Sequence, residues 1–218
     1  GILSKALVYL DRRIQEDYNQ LKKRKVKLSS NQLSAIQVQY LYMRSFFAAI
    51  PLAPGTTAAY NYYLQQGNRY WLQQPLYMQA MLALTLHRTG QTTAARNILT
   101  SIRQRALTDE EMGMYWKAFT NGYYWHQSPV AAQALMVELF AELKQNAKTI
   151  SALQTWLLKQ KQTSHWATTI ATAEACYALL MHQTDILASD NTVTITAGSQ
   201  VFSAASESTE AGTGYFQR

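Results

Sequence analysis

Few residues in this chain are of types that do covalent or acid–base chemistry. The single cysteine, Cys176, lies in "TTIATAEACYALL" between Ala175 and Tyr177. A nucleophilic cysteine needs a depressed pKa and an exposed, electropositive setting. The apolar helix predicted here supplies neither, and His182, six residues on, falls on a different helical face. The expectation is a buried structural thiol that resists modification until the protein unfolds. The four histidines, His87, His126, His165 and His182, are too far apart for the local spacing of a zinc site. No metal and no cofactor are expected. Paired carboxylates are the remaining possibility, because glycoside chemistry needs an acid and a base across one bond. Asp109, Glu110 and Glu111 adjoin an aromatic stretch. They also fit the negatively charged first turn of a short helix opened by a Thr108–Glu111 capping box. Glu174 falls within a largely apolar helix, where a carboxylate must be paired or hydrogen-bonded.

The aromatic stretch "GMYWKAFTNGYYWHQSP" is the one candidate interaction surface, through Tyr115, Trp116, Tyr123, Tyr124, Trp125 and His126. Two arrangements suit it: a ligand-binding rim, or a plug that fills a gap between helices. Large aromatics usually fill cores, which favours the plug.

The elements that would position these residues are helices. Leu3, Leu7, Leu10, Ile14, Tyr18 and Leu21 form one stripe at three- and four-residue steps. "NQLSAIQVQYLYMRSFF" is apolar on more than one side, and "TTAAYNYYLQQ" on one. "PLYMQAMLALTLHR" is apolar nearly all round, opened by Pro75 and closed by Gly90. "QTTAARNILTSIRQR" is one-sided through Ala95, Ile98, Leu99 and Ile102. "SPVAAQALMVELFAEL" takes Ser128 as N-cap and Pro129 as first helical residue. "TISALQTWLLKQ" has a narrow stripe of Ile150, Leu153, Trp156 and Leu157. In "HWATTIATAEACYALLMH" one face is Trp166, Ile170, Ala173, Tyr177 and Leu180, and the other faces are apolar too, so cover on several sides is expected. All-round apolar helices thus alternate with one-sided ones. A faint repeat joins "YWLQQPLYMQAMLAL" to "TWLLKQKQTSHWATTIATAEACYALL". Antiparallel helix pairs in two layers, an α/α toroid or an α-solenoid, explain both features.

Strand chemistry is expected only after about residue 188, where "NTVTITAGSQVF" alternates Val193, Ile195 and Ala197 with threonines. The domain reading is a helical domain over 1–188, and the start of a β domain over 189–218. The leading Gly1 and the ending "GTGYFQR" are those expected of a piece of a longer protein.

With 218 residues, 48% of them hydrophobic, the chain can bury a real core. Only 9 glycines and 4 prolines interrupt it, which favours helix. The net charge is +7, and seven of the 20 Lys and Arg fall in "DRRIQEDYNQLKKRKVK". "KKRKVK" resembles a nuclear import signal, but it also suits a solvated helix end, where cations meet the C-terminal dipole. No nucleic-acid-binding motif accompanies it, and nucleic acid is not an expected partner. No apolar run reaches the ~20 residues that span a bilayer, and the amphipathic start lacks a signal-peptide cleavage site.

"EEMGMYWKAFTNGYYWHQSPVAAQALMVELFAEL", "WLLKQKQTSHWATTIATAEACYALL" and "EAGTGYFQR" resemble bacterial alpha-2-macroglobulin-like proteins, most of all the large forms of Bacteroidetes-type cell envelopes. The resemblance covers nearly the whole chain and is strongest over 69–185. It implies the C-terminal part of the thioester-type domain, a terpenoid-cyclase-like α/α toroid, followed by the start of a β domain. Members of the family are protease traps: cleavage of a bait segment triggers closure, and a thioester can bind the attacker. This chain departs from the family's Cys-x-Glu-Gln motif, since Tyr177, Ala178 and Leu179 follow Cys176. A thioester, if the parent has one, lies upstream. The histidine that assists acyl transfer in complement relatives is matched by Ala132.

The expected function is therefore a non-catalytic part of a cell-envelope endopeptidase inhibitor. Its expected partners are proteases, met through the parent protein, and the other domains of that chain. The envelope location, periplasmic or surface-anchored, follows from the resemblance alone. An α/α toroid glycosidase or polysaccharide lyase is the alternative, and a helical-repeat interaction scaffold is a further one.

Overall fold

The computed structural model describes residues 1–122, 128–163, 166–180, 194–197 and 200–203. The chain divides into two compact units, Gly1–His182 and Gln183–Arg218. Among the described residues the first unit holds eight α-helices: α1 Ile2–Lys23, α2 Ala35–Ser45, α3 Thr57–Tyr70, α4 Leu76–Arg88, α5 Thr92–Gln104, α6 Pro129–Glu142, α7 Ala147–Thr163 and α8 Thr169–Leu180. A hairpin of β1 Leu107–Asp109 and β2 Gly113–Tyr115 stands between α5 and α6. The described part of the second unit is an antiparallel pair, β3 Thr194–Ala197 and β4 Gln200–Ser203, with Ala197 opposite Gln200.

The helix ends follow local chemistry. Ser128 accepts the Ala131 amide at the start of α6, with Pro129 in the first helical position. Ser34 and Gln37 form a capping box at the start of α2. After α4 the chain turns at Gly90, whose φ of +83° suits a residue without Cβ.

Packing separates the helices by type. The even-numbered helices form one row: α2 lies on α4, α4 on α6, and α6 on α8. The odd-numbered helices flank it, with α1 against α2 and α3, α3 against α2 and α4, α5 against α4, and α7 against α6 and α8. This arrangement accounts for the hydrophobic patterns. Every residue of α4 from Leu76 to Leu86 is buried, because neighbours enclose it. By contrast, α5 buries only Ala95, Ile98, Leu99 and Ile102. Leu82, Leu84, Leu86, Met136, Leu139 and Phe140 sit fully buried at the centre. Burying one such side chain stabilises the fold by about 1.5–3 kcal/mol.

One ion pair is built into this core. Asp11 of α1 is 1% exposed and accepts the Tyr40 hydroxyl at 2.7 Å and the Ala53 amide at 2.8 Å. The Arg44 Nε lies 3.4 Å away, and the Arg44 Nη2 donates to the Ile50 carbonyl. Burial and then Asp11 itself hold the Tyr40 phenol well above its usual range.

Strands are not confined to the tail, as the sequence had led one to expect. Residues 107–115 form a hairpin rather than a helical turn. The Asp109 Oδ1 accepts the amides of Glu111 and Met112 at 2.9 and 2.8 Å, which closes a side-chain turn. Those backbone hydrogen bonds also hold the Asp109 carboxyl below its usual range. Gly113, at φ +76°, then reverses the chain, and a Cβ there would stand 2.1 Å from the Ala152 carbonyl oxygen of α7. The Thr108–Glu111 spacing that mimics a capping box is therefore used for a turn, because both motifs satisfy backbone amides with nearby side-chain oxygens.

Among the described residues no helix is long and apolar enough to cross a membrane.

Candidate functional site

Three charged groups of the row, Arg88, Glu138 and Glu142, gather where the C-terminal halves of α2, α4 and α6 meet. Arg88, the last residue of α4, forks onto α6. Its Nε donates to the Glu142 Oε2 at 3.0 Å, and its Nη2 donates to the other Glu142 oxygen and to the Glu138 Oε1. Its Nη1 donates to the Ser45 hydroxyl of α2 at 3.1 Å. The guanidinium also lies 4.1 Å from the Phe46 ring centroid, a cation–π contact. Tyr42 of α2 donates its hydroxyl to the Glu138 Oε2 at 2.9 Å. Burial opposes the charge on Arg88, but the hydrogen bonds and charges of Glu142 and Glu138 outweigh it and raise its pKa above the usual guanidinium value. Burial and then Glu138 push the Tyr42 phenol up.

Two more groups border this network. Tyr77 of α4 is buried, and burial, Glu174 and Glu138 together raise its pKa. Glu174 of α8 is half-buried, and its Oε2 has no hydrogen-bond partner. Burial first, and the charge of Glu138 second, raise the Glu174 pKa. Chemically the site is a clamp with one loose carboxylate. Arg88 and Glu138 are fully engaged with each other and with Tyr42, Ser45 and Glu142. Glu174 alone retains a free oxygen.

The sequence singled out Glu174 but not Arg88, Glu138 or Glu142. The same signal was present for all four, since each is a charged residue in an otherwise apolar helix. Asp109, Glu110 and Glu111 are exposed on the hairpin, and Glu111 pairs with Lys159 of α7 at 3.3 Å. The structure does not bring them to the Arg88 clamp. Among the described residues no group of three or more His, Cys, Asp and Glu could hold a metal ion.

The candidate aromatic residues are placed as follows. Trp116 is 3% exposed and donates its indole N–H to the Ile102 carbonyl at 2.9 Å. Its ring meets Phe119 and Phe140. Tyr115 stacks on Trp156 with centroids 6.4 Å apart. Tyr123, Tyr124, Trp125 and His126 lie outside the described residues. Ala132 is 1% exposed, in the first turns of α6. Beside it, the Gln133 amide donates to the Met114 and Leu153 carbonyls, which ties the hairpin and α7 to α6.

Cys176 is not buried, contrary to the sequence expectation: it is a free, exposed thiol. Helix α8 buries Ala171, Ala175, Ala178 and Leu179. Its opposite face exposes Ile170 at 69%, Tyr177 at 52% and Leu180 at 48%. The Ile170–Tyr177 stripe is real, but it faces outward. Small alanines let α8 approach α6 closely, so the less bulky face makes the contact. We therefore expect the folded 218-residue chain by itself to take up one equivalent of a maleimide reagent at Cys176, measured by intact mass. A thiol protected until denaturant is added would mean that α8 is covered.

Compared with protein-family models, with curated proteins and with solved structures, the chain matches none.

Proposed function

We propose that residues 1–182 belong to the α/α toroid domain of an alpha-2-macroglobulin-like endopeptidase inhibitor of the bacterial cell envelope, and that their part is mechanical, not catalytic. The observation that carries this reading is the helical arrangement: a row of α2, α4, α6 and α8 with the odd-numbered helices laid along it. Helix pairs of this kind are what the resemblance over 69–185 implies. In a closed ring, further helices would cover the outer face of α8 and the exposed Ile2, Leu3 and Tyr9 of α1. The helical body moves with the bait's cleavage as one block through α2, α4 and α6, which are clamped together through Arg88. Covalent capture is not its task, since Cys176 lacks the thioester motif and Ala132 offers no base.

The alternative of an α/α toroid acting on carbohydrate is favoured only by Glu174, a carboxyl with a raised pKa. Two-carboxylate hydrolysis needs a second free acid or base, and its neighbour Glu138 is already held by Arg88 and Tyr42.

The test uses the natural full-length product, incubated with excess over a serine endopeptidase. The trapped protease is expected to keep cleaving a small chromogenic peptide and to lose activity on a protein substrate such as casein. Unimpaired casein cleavage would refute the inhibitor reading. Release of reducing sugar ends from a polysaccharide would support the alternative.

A further inference from the structure

The last helix of the row carries a carboxylate with an unpartnered oxygen. α8 meets α6 through alanines, at Ala171, Ala175 and Ala178, with Leu179 beside them. Each of these alanines buries little apolar area. The Gln154 amide of α7 adds one hydrogen bond, to the Ala178 carbonyl at 3.1 Å. Into this contact α8 brings Glu174. Its Oε2 is closed off from solvent and bonded to nothing.

Among the described residues no cation is paired with Glu174. On α6 the nearby charge is Glu138, of the same sign, and Glu142 beyond it is held by Arg88. On α4 the nearby group is Tyr77, a buried phenol whose pKa is raised by burial and then by the charges of Glu174 and Glu138. On α7 the cations are Lys148, Lys159 and Lys161. Lys159 bonds to Glu111, and Lys161 lies over the Trp166 ring. Among the described residues none of the three pairs with Glu174.

We propose that Glu174 is an acid-operated latch: protonated, it lets α8 close on α6, and ionised, it loosens α8 from the row. The physical basis is that an ionised carboxylate would lose the hydration of its Oε2 and meet the like charge of Glu138. Protonation removes both penalties. The sign follows from linkage. Glu174 has a raised pKa when α8 is docked and the ordinary value of a solvated glutamate when α8 is released into water. The closed state is therefore favoured most below the ordinary value, and this contribution is lost as pH rises through the raised one. Neutral pH is thus the condition in which α8 opens most readily. The latch does not depend on the inhibitor reading, because it concerns only the α6–α8 contact.

The test is amide hydrogen exchange of the α8 peptide across a pH series, with rates corrected for intrinsic exchange. In the full chain at neutral pH, Glu174→Gln is expected to slow α8 exchange several-fold relative to the wild type. As pH falls through the raised carboxyl value of Glu174, the wild type should approach the variant. The variant should itself show no trend. Equal protection of the two proteins at neutral pH would overturn the proposal, as would a pH trend that persists in Glu174→Gln. Should the variant fail to fold, the carboxyl carbon of Glu174 can be titrated by NMR in the wild type. A midpoint at or below that of solvated glutamate would overturn the latch equally.

Discussion

Replacing Asp11 by alanine is expected to lower the stability of the helical unit by about 3–5 kcal/mol, the loss seen when one partner of a buried ion pair is removed. Asp11 is not a surface charge. It closes three interactions at once: the Tyr40 hydroxyl, the Ala53 amide and the Arg44 guanidinium. Without it, Tyr40 and Ala53 become buried donors with no acceptor, at about 1–3 kcal/mol for each such group. Arg44, 5% exposed, keeps its bond to the Ile50 carbonyl but loses its only counter-ion among the described residues. Exposed pairs behave differently: Arg13–Glu16, with both side chains more than half exposed, should matter by under about 1 kcal/mol. Urea unfolding of Asp11→Ala against the wild type measures the effect. The double variant Asp11→Ala, Arg44→Met should recover part of the loss, because it removes the orphaned charge as well. A single-variant loss below about 1 kcal/mol would mean that the pair is solvated.

Trp156→Ala should cost a similar amount, about 3–5 kcal/mol, by a different cause. Trp156 is 9% exposed, between the fully buried Leu153 and Leu157 on α7. Its ring stacks on Tyr115 of β2, and β2 lies against α7. Alanine would leave a cavity between the hairpin and the helix. Gly113 pins that hairpin so close to Ala152 that it has no room to shift inwards and fill the space. The midpoint of denaturation should fall while the m-value stays constant, because the area exposed on unfolding hardly changes. The hairpin amides should lose protection with it. A stability change near zero would show that Trp156 is not a packing anchor.

How much of this was legible beforehand depends on how local the controlling physics is. The all-round apolar run from Leu76 to Leu86 marked α4 as an enclosed helix, and its residues are buried throughout. Ala95, Ile98, Leu99 and Ile102 marked the single buried face of α5. Ser128, Pro129 and Gly90 marked ends, because caps and left-handed turns are decided within a few residues. The hairpin at 107–115 was missed for a reason of the same scale. Thr108, Asp109 and Glu111 suit two local motifs, and Gly113 selects between them by bringing β2 against a carbonyl of α7.

What the chain order hides is which groups meet across it. Arg88 and Glu142 are partners 54 residues apart, and Asp11 and Ala53 are 42 apart. No periodicity encodes such a pair; it exists only once α1, α2, α4 and α6 are stacked. The orientation of α8 is the clearest division between the two levels. Sequence determined that this helix is apolar on every side and carries a single carboxylate. Two faces could then have been buried, and hydrophobicity could not choose between them. Tertiary structure chose the alanine face, because small side chains let α8 lie closest to α6. That choice left Ile170, Cys176, Tyr177 and Leu180 in solvent and set Glu174 beside Glu138.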